Sequence, residues 1–308
     1  MTPSQRATIA TIAAIALDVG LDCRDRVGAR TTLKRARAAM RAIGVTVDGS
    51  TGTDLEPYPV GIGNGKIGGV STYRGIKETC PPSCPLFLKC YASEGNVNLH
   101  QLRAGGDVVS SVAAFAIGCA LVVAGHADAV RLHTSGDFGV EPDPSVPDPD
   151  YIEGLAMVAE AVIVGAKLKC HSDSQSDPRC LAWTYTHLPP SPQRDDMIDR
   201  LRSCSIEVLV SDEIRAGGAI VMPHDMVPTL RRALRAQSID VHPIRCPEQT
   251  AKAKGRSVTC AQCALCYDAS AKRRLIVFDP IGGEARKSQQ DKWTPAAPLA
   301  HVLAGGAS

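Results

Sequence analysis

Ala129-Val130-Arg131-Leu132-His133-Thr134-Ser135-Gly136-Asp137-Phe138 is a short strand-like run that ends in a polar turn. The segments on either side of it decide the fold. Upstream, Val108–Gly125 carries no charged residue and approaches membrane-spanning length. Ser110, Ser111 and Gly118 interrupt it, and it leads directly into the run at residue 129. We therefore read it as a buried helix of an α/β fold, and no membrane role follows. Downstream, a helix is expected over Tyr151–Ala166, a strand over Cys180–His187, a helix near Asp195–Arg202 and a strand over Ile206–Val210. Ala219–Met222 and Val241–Arg245 are short strands with a helix, Val227–Ala236, between them. Such alternation implies parallel strands joined by crossover helices: a partial or complete parallel (β/α) barrel, or an open sheet. Glu141–Asp150, rich in Pro and Asp, is expected as an exposed loop at the end of a strand.

Toward the N-terminus, Ile62-Gly63-Asn64-Gly65-Lys66-Ile67 reads as two strands around an Asn-Gly turn. Residues 3–45 read as helices, with Ser4 a candidate cap for the first and Thr31-Thr32 preceding Leu33–Ile43. Lys34, Arg35, Arg37 and Arg41 fall largely on one helical face, either solvated or phosphate-contacting. The chain then divides into an N-terminal helical extension (1–50), an α/β barrel-like domain (51–245) and a cysteine-rich metal-binding C-terminal segment (246–308).

Composition narrows the class. Apolar residues at 44% and charged residues at 21% are ordinary for a soluble protein, and only 4% aromatics leaves the core to Ala, Val, Leu and Ile. A net charge of +2 neither demands nor excludes a nucleic-acid partner. The apolar stretch Ala7–Leu17, bracketed by Arg6 and Asp18, is too short for a targeting helix and lacks a convincing cleavage site. A reducing, cytoplasmic location is expected, and there clustered cysteines read as metal ligands.

Seven of the twelve cysteines form two clusters. Cys80, Cys84 and Cys90 are spaced C-x3-C-x5-C, so three thiolates can converge on one centre and leave a coordination position open; the bland account is a zinc site completed by a distant His or Cys. Cys246, Cys260, Cys263 and Cys266 offer four thiolates, which suit a closed zinc site or a second iron–sulfur cluster. Ser135, Gly136 and Asp137 end a strand where such folds bind ligands: a hydroxyl, close backbone approach and a carboxylate. With His133 they are candidate site residues, and the ordinary explanation for them is a capped strand turn. If alternate residues of Ala182–His187 share a face, Trp183, Tyr185 and His187 line a mouth, with Tyr185 and His187 as catalytic candidates; the bland account is core aromatics with a rim histidine. Cys170-His171 with Cys180 is a weaker metal candidate, and Asp212-Glu213 and His224-Asp225 end further strands. Cys23, Cys119 and Cys204 read as core.

Several stretches in order resemble the phage-associated gene product 88 family. They are Cys80-Pro-Pro-Ser-Cys84-Pro running into Cys90-Tyr91-Ala92 and Glu94-Gly95, Arg131–Phe138, Trp183–Thr186, the late cysteine run and Leu275–Phe278, across residues 62–282. The resemblance implies a phage-type protein, with the host cytoplasm its location if phage-encoded, and little chemistry. A more distant likeness implies more. A three-cysteine loop before a partial barrel, with a Gly-plus-acid motif ending the next strand, is similar to radical S-adenosylmethionine enzymes. There the usual spacing is C-x3-C-x2-C, against C-x3-C-x5-C here. Carried over, Cys80, Cys84 and Cys90 hold a [4Fe–4S] cluster and Ser135, Gly136 and Asp137 contact S-adenosylmethionine as a small-molecule cosubstrate. The implied activity is modification of a nucleotide or nucleic acid. Two other readings stay open: a zinc-containing, base-exchanging transglycosylase-like barrel with Asp137 or Asp212 as nucleophile, and a non-catalytic, zinc-stapled protein binding nucleic acid or a partner. The oligomeric state is not legible.

Overall fold

The computed structural model describes residues 1–45, 60–64, 69–84, 87, 106–167, 180–253, 255–267 and 273–279. In chain order its elements are α1 (Pro3–Cys23), α2 (Ala29–Ala42), β1 (Val60–Asn64), β2 (Gly69–Thr72), α3 (Ile76–Thr79), α4 (Val108–Val123), β3 (Val130–Arg131), β4 (Gly139–Val140), β5 (Asp143–Pro147), α5 (Pro149–Ala166), β6 (Ala182–Thr186), α6 (Pro192–Ser203), β7 (Ile206–Ser211), β8 (Gly218–Val221), α7 (Val227–Ala236), β9 (His242–Arg245), α8 (Pro247–Ala253), α9 (Cys260–Cys263) and β10 (Arg274–Phe278). Eight of the strands form one sheet in the order β1-β2-β3-β6-β7-β8-β10-β9. The β1–β2 pair is antiparallel, and the β2–β3, β3–β6, β7–β8, β8–β10 and β10–β9 pairs are parallel. The protein is thus mixed α/β with a mostly parallel sheet. Among the described residues no β1–β9 pairing closes the order into a ring.

The chain divides into two compact units, 1–208 with 259–269, and 209–258 with 270–308. In the first, the uncharged stretch after Asp107 becomes α4, which packs on β1, β2 and β3 with one side and on α1, α2 and α5 with the others. A helix enclosed this way has no wet face, which is why its sequence is apolar all round. Asp107 caps it by accepting from the Ser110 amide at 2.8 Å. Gly118 brings it onto the sheet: a Cβ there would lie 2.9 Å from Val130 Cγ1.

The N-terminal helices, expected as an extension, are part of this first unit. α1 buries Ile9, Ile12, Ala13 and Ala16 and packs on α4 and α5. Thr2, not Ser4, caps it, in a reciprocal box with Gln5 (3.2 and 2.9 Å). The segment expected as a loop at Glu141–Asp150 instead contains β5, paired antiparallel with β4. Asp148 then caps α5 through the amides of Asp150 and Tyr151. Proline and aspartate mark chain reversal in sequence, and a ribbon this short leaves no longer run to reveal itself. In the second unit, α7 covers β8 and β10 with a core of Ile220, Met222, Val227, Leu230, Leu234, Leu275 and Val277. Among the described residues no helix is long and apolar enough to cross a membrane.

Candidate functional site

β2, β3 and β6 are parallel neighbours, so their carboxyl ends lie at one edge of the first unit, where α/β sheets place ligands. The chain leaving β2 passes through Tyr73-Arg74-Gly75 into α3 and then Cys80. The turn after β3 is bonded to it residue by residue. Thr134 N donates to Thr72 O (2.8 Å), Arg74 N to Ser135 O (2.9 Å), and Ser135 Oγ to Arg74 O (3.1 Å). Gly136 adopts φ +81°, and a Cβ on it would sit 2.6 Å from Arg74 Cβ, so both conformation and space require glycine. Asp137 N donates to Thr79 Oγ1 (3.0 Å), whose hydroxyl donates to Gly75 O (2.6 Å). The root of the cysteine loop is therefore fixed to the Ser135–Asp137 turn. Cys80 and Cys84 are both half-buried, and Cys84 N donates to Pro81 O at 3.0 Å in a tight turn between them.

The Asp137 carboxylate is turned to the end of β6. It is 1% exposed and accepts from Phe138 N (2.8 Å), Thr186 Oγ1 (2.8 Å) and His187 N (2.7 Å). Burial pushes its pKa up, opposed by the His187 ring, whose Nδ1 is 3.9 Å away, and by these bonds.

Beneath the turn lies a buried polar network. The Arg74 guanidinium donates to Asp137 O (2.8 Å) and Gly106 O (3.0 Å), stacks 3.9 Å over the Tyr151 ring and lies 3.8 Å from Asp148 Oδ2. Burial lowers its pKa, while Tyr151, Asp148, Asp137 and Cys80 raise it. His133 adopts φ +51°, shares a hydrogen bond with Tyr151 Oη at 2.9 Å and lies edge-on to Phe138. Burial, then the Arg74 cation, holds its pKa well below the usual histidine value, so the ring is neutral.

Tyr185 belongs to a different cluster. Along β6, Thr184 and Thr186 face His133 and Asp137, whereas Trp183 and Tyr185 pack together on the other side with Cys180, Cys260, Cys266 and Tyr267. Tyr185 Oη lies 3.1 Å from Cys266 Sγ, and burial, then Cys266, pushes its pKa well up. Arg131 lies over the Trp183 ring at 5.2 Å. Cys246 sits in the second unit at the end of β9, where its amide and His224 Nε2 both reach Val277 O (2.8 and 3.2 Å).

Comparison with protein-family models, curated proteins and solved structures yielded no match. The chemistry therefore rests on geometry. Of the residues singled out in the sequence, Ser135, Gly136, Asp137, His133 and His187 gather at the carboxyl ends of β3 and β6, with Cys80 anchored to the same turn; Tyr185 does not join them. Cys90, Cys170 and His171 lie outside the described residues. Among the described residues, no three His, Cys, Asp or Glu side chains form a group able to hold a metal ion. Sequence reasoning missed Arg74, Thr79, Tyr151, Thr184 and Thr186. Arg74 alone carried a signal, a charge set between a strand and a small residue; threonines in strands are ordinary β formers.

Proposed function

We propose that the chain is a thiolate-held iron–sulfur enzyme, similar to radical S-adenosylmethionine enzymes, that modifies a nucleotide or nucleic acid. One observation carries the reading. The Cys80–Cys84 loop springs from the carboxyl end of β2 and is pinned to the turn after β3, at the edge where parallel strands present ligands. Two half-buried thiols on one short, rigid-rooted loop fit part of a thiolate donor set, with Cys90 as the third ligand. On this reading β2, β3 and β6 begin a partial (β/α) barrel. A [4Fe–4S] cluster, when bound, supplies one-electron chemistry and an open iron for a small-molecule cosubstrate.

The chain's own residues divide the remaining work. Arg74 and Thr79 orient the cysteine loop. Asp137 does not fit the role of binding a cosubstrate's ammonium group, because its oxygens are engaged by Phe138, Thr186 and His187 and it is 1% exposed. The same burial disfavours Asp137 as a transglycosylase nucleophile, so we assign it as a positioning residue. His187, 31% exposed beside it, is able to meet substrate. The late cysteines of the first unit, Cys260, Cys263 and Cys266, are assigned to a structural zinc or a second cluster.

Protein purified without oxygen should contain iron and sulfide and absorb broadly in the visible, and Cys84→Ser should lose most of that iron while keeping its helical circular dichroism. Zinc alone, with no sulfide, would overturn the iron–sulfur reading.

A further inference from the structure

The best-carried unassigned feature is the outer face of α2, far in sequence from the cysteine loop. Leu33, Ala36 and Met40 bury its apolar side. Arg30, Lys34 and Arg41 are all exposed. At about 100° per residue they fall within roughly 40° of arc and along about 16 Å of helix. None of the three has an ion-pair partner among the described residues, whereas Arg35 and Arg26 share Asp22. Arg37, next in the row, is turned in and donates to Val60 O.

Helix stability accounts for Arg41, in the last turn where the dipole favours a cation, but not for Arg30 and Lys34. The helix contains no acidic residue. Arg30 and Lys34 are like charges at i and i+4, which repel. Arg30 also stands in the first turn, where the helix dipole disfavours a cation, and Gly28 provides no side-chain cap. The Arg30–Lys34 end, unfavourable to the free helix, is relieved by a polyanion. The other exposed residues of this face include Thr31, Ala38 and Ala42, small groups with nothing to insert into a bilayer.

We propose that this face of α2 binds the phosphate backbone of nucleic acid. The inference rests on α2 alone and stands whether or not the thiolate centre holds iron. Fluorescence anisotropy with labelled single-stranded and duplex oligonucleotides, from 50 to 200 mM salt, tests it. Native protein should bind with an affinity that falls as salt rises. The triple variant Arg30→Glu, Lys34→Glu, Arg41→Glu should bind at least tenfold more weakly at the lowest salt. The slope of log affinity against log salt should shrink by about 2 to 3, the contribution of three phosphates. Replacing the two arginines by lysine should preserve binding, and unchanged circular dichroism and metal content would show that fold and centre are intact. Equal affinity and slope in the triple variant, no oligonucleotide binding by the native protein, or binding only to phosphatidylserine vesicles would each overturn the proposal.

Discussion

His133 shows how burial decides a residue's role. In sequence it is a candidate catalytic residue beside Asp137; in the fold its imidazole is enclosed by Tyr151, Phe138 and Thr184 and kept neutral. The sign of its effect on stability follows. Its folded pKa lies well below 6.5, so the unfolded chain binds more protons as pH falls through that value. Stability should therefore drop below pH ~6.5, with a slope of up to about 1.4 kcal/mol per pH unit from this group. His133→Asn, which tolerates positive φ, should remove that slope when denaturant unfolding is compared across pH 7.5 to 5.5. An unchanged slope would mean that the ring is not buried neutral. Asp137 makes the complementary case. Asp137→Asn keeps an amide oxygen to accept from Phe138 N and Thr186 Oγ1 at the Oδ1 position but sets an NH2 against the His187 amide at the Oδ2 position, so stability should fall by about 1–3 kcal/mol. Were the carboxylate a solvent-facing ligand group, the loss would be near zero.

At the scale of elements, most of the fold was legible because its elements are amphipathic or buried over whole lengths. α7 runs Val227–Ala236 and α5 Pro149–Ala166, against expected helices at 227–236 and 151–166. β3, β6, β7 and β8 were legible as apolar runs between helices. What escaped was information held between elements. The β4–β5 ribbon has no periodicity long enough to read, and the bonds tying Arg74 and Thr79 to the β3 turn join residues some 60 apart in the chain. The strand order of the described residues was equally hidden, since a barrel and a sheet differ only in which edges meet. Two glycines make this level testable. Gly136→Ala must strain both φ and the Arg74 contact, and should cost about 2 kcal/mol or more. If the turn roots the cysteine loop, the same variant should also lower metal retention. Gly118→Ala meets the Val130 side chain at 2.9 Å and Val70 Cγ1 at 3.5 Å, in ordinary helical φ. It should cost about 1–3 kcal/mol and leave metal content unchanged. Equal metal loss in both variants would show that the turn has no special connection to the loop.

At the scale of the whole molecule, the described residues of the cysteine-rich C-terminal segment fall in both compact units. Residues 259–269 belong to the first unit, where Tyr267 is buried and stacks on Trp183 with ring centroids 6.2 Å apart. β10 follows at once and belongs to the second unit, pairing with both β8 and β9. Composition was legible here, since the cysteines mark the segment plainly, but the division was not, because membership of a core depends on partners distant in the chain. Two buried side chains nine positions apart therefore report on different cores. Tyr267→Ala removes an aromatic from the cluster of Cys180, Trp183 and Tyr185, and Ile276→Ala removes a fully buried branched side chain from the middle of β10. Each should cost about 2–5 kcal/mol. Under native conditions, hydrogen exchange should quicken for Tyr267→Ala chiefly in β3 and β6, and for Ile276→Ala chiefly in β8, β9 and β10. Cooperative units open separately when each has its own core, so the two patterns should overlap little. Identical patterns from the two variants would mean that the chain opens as one unit, and that the boundary near residue 208 is geometric without being energetic.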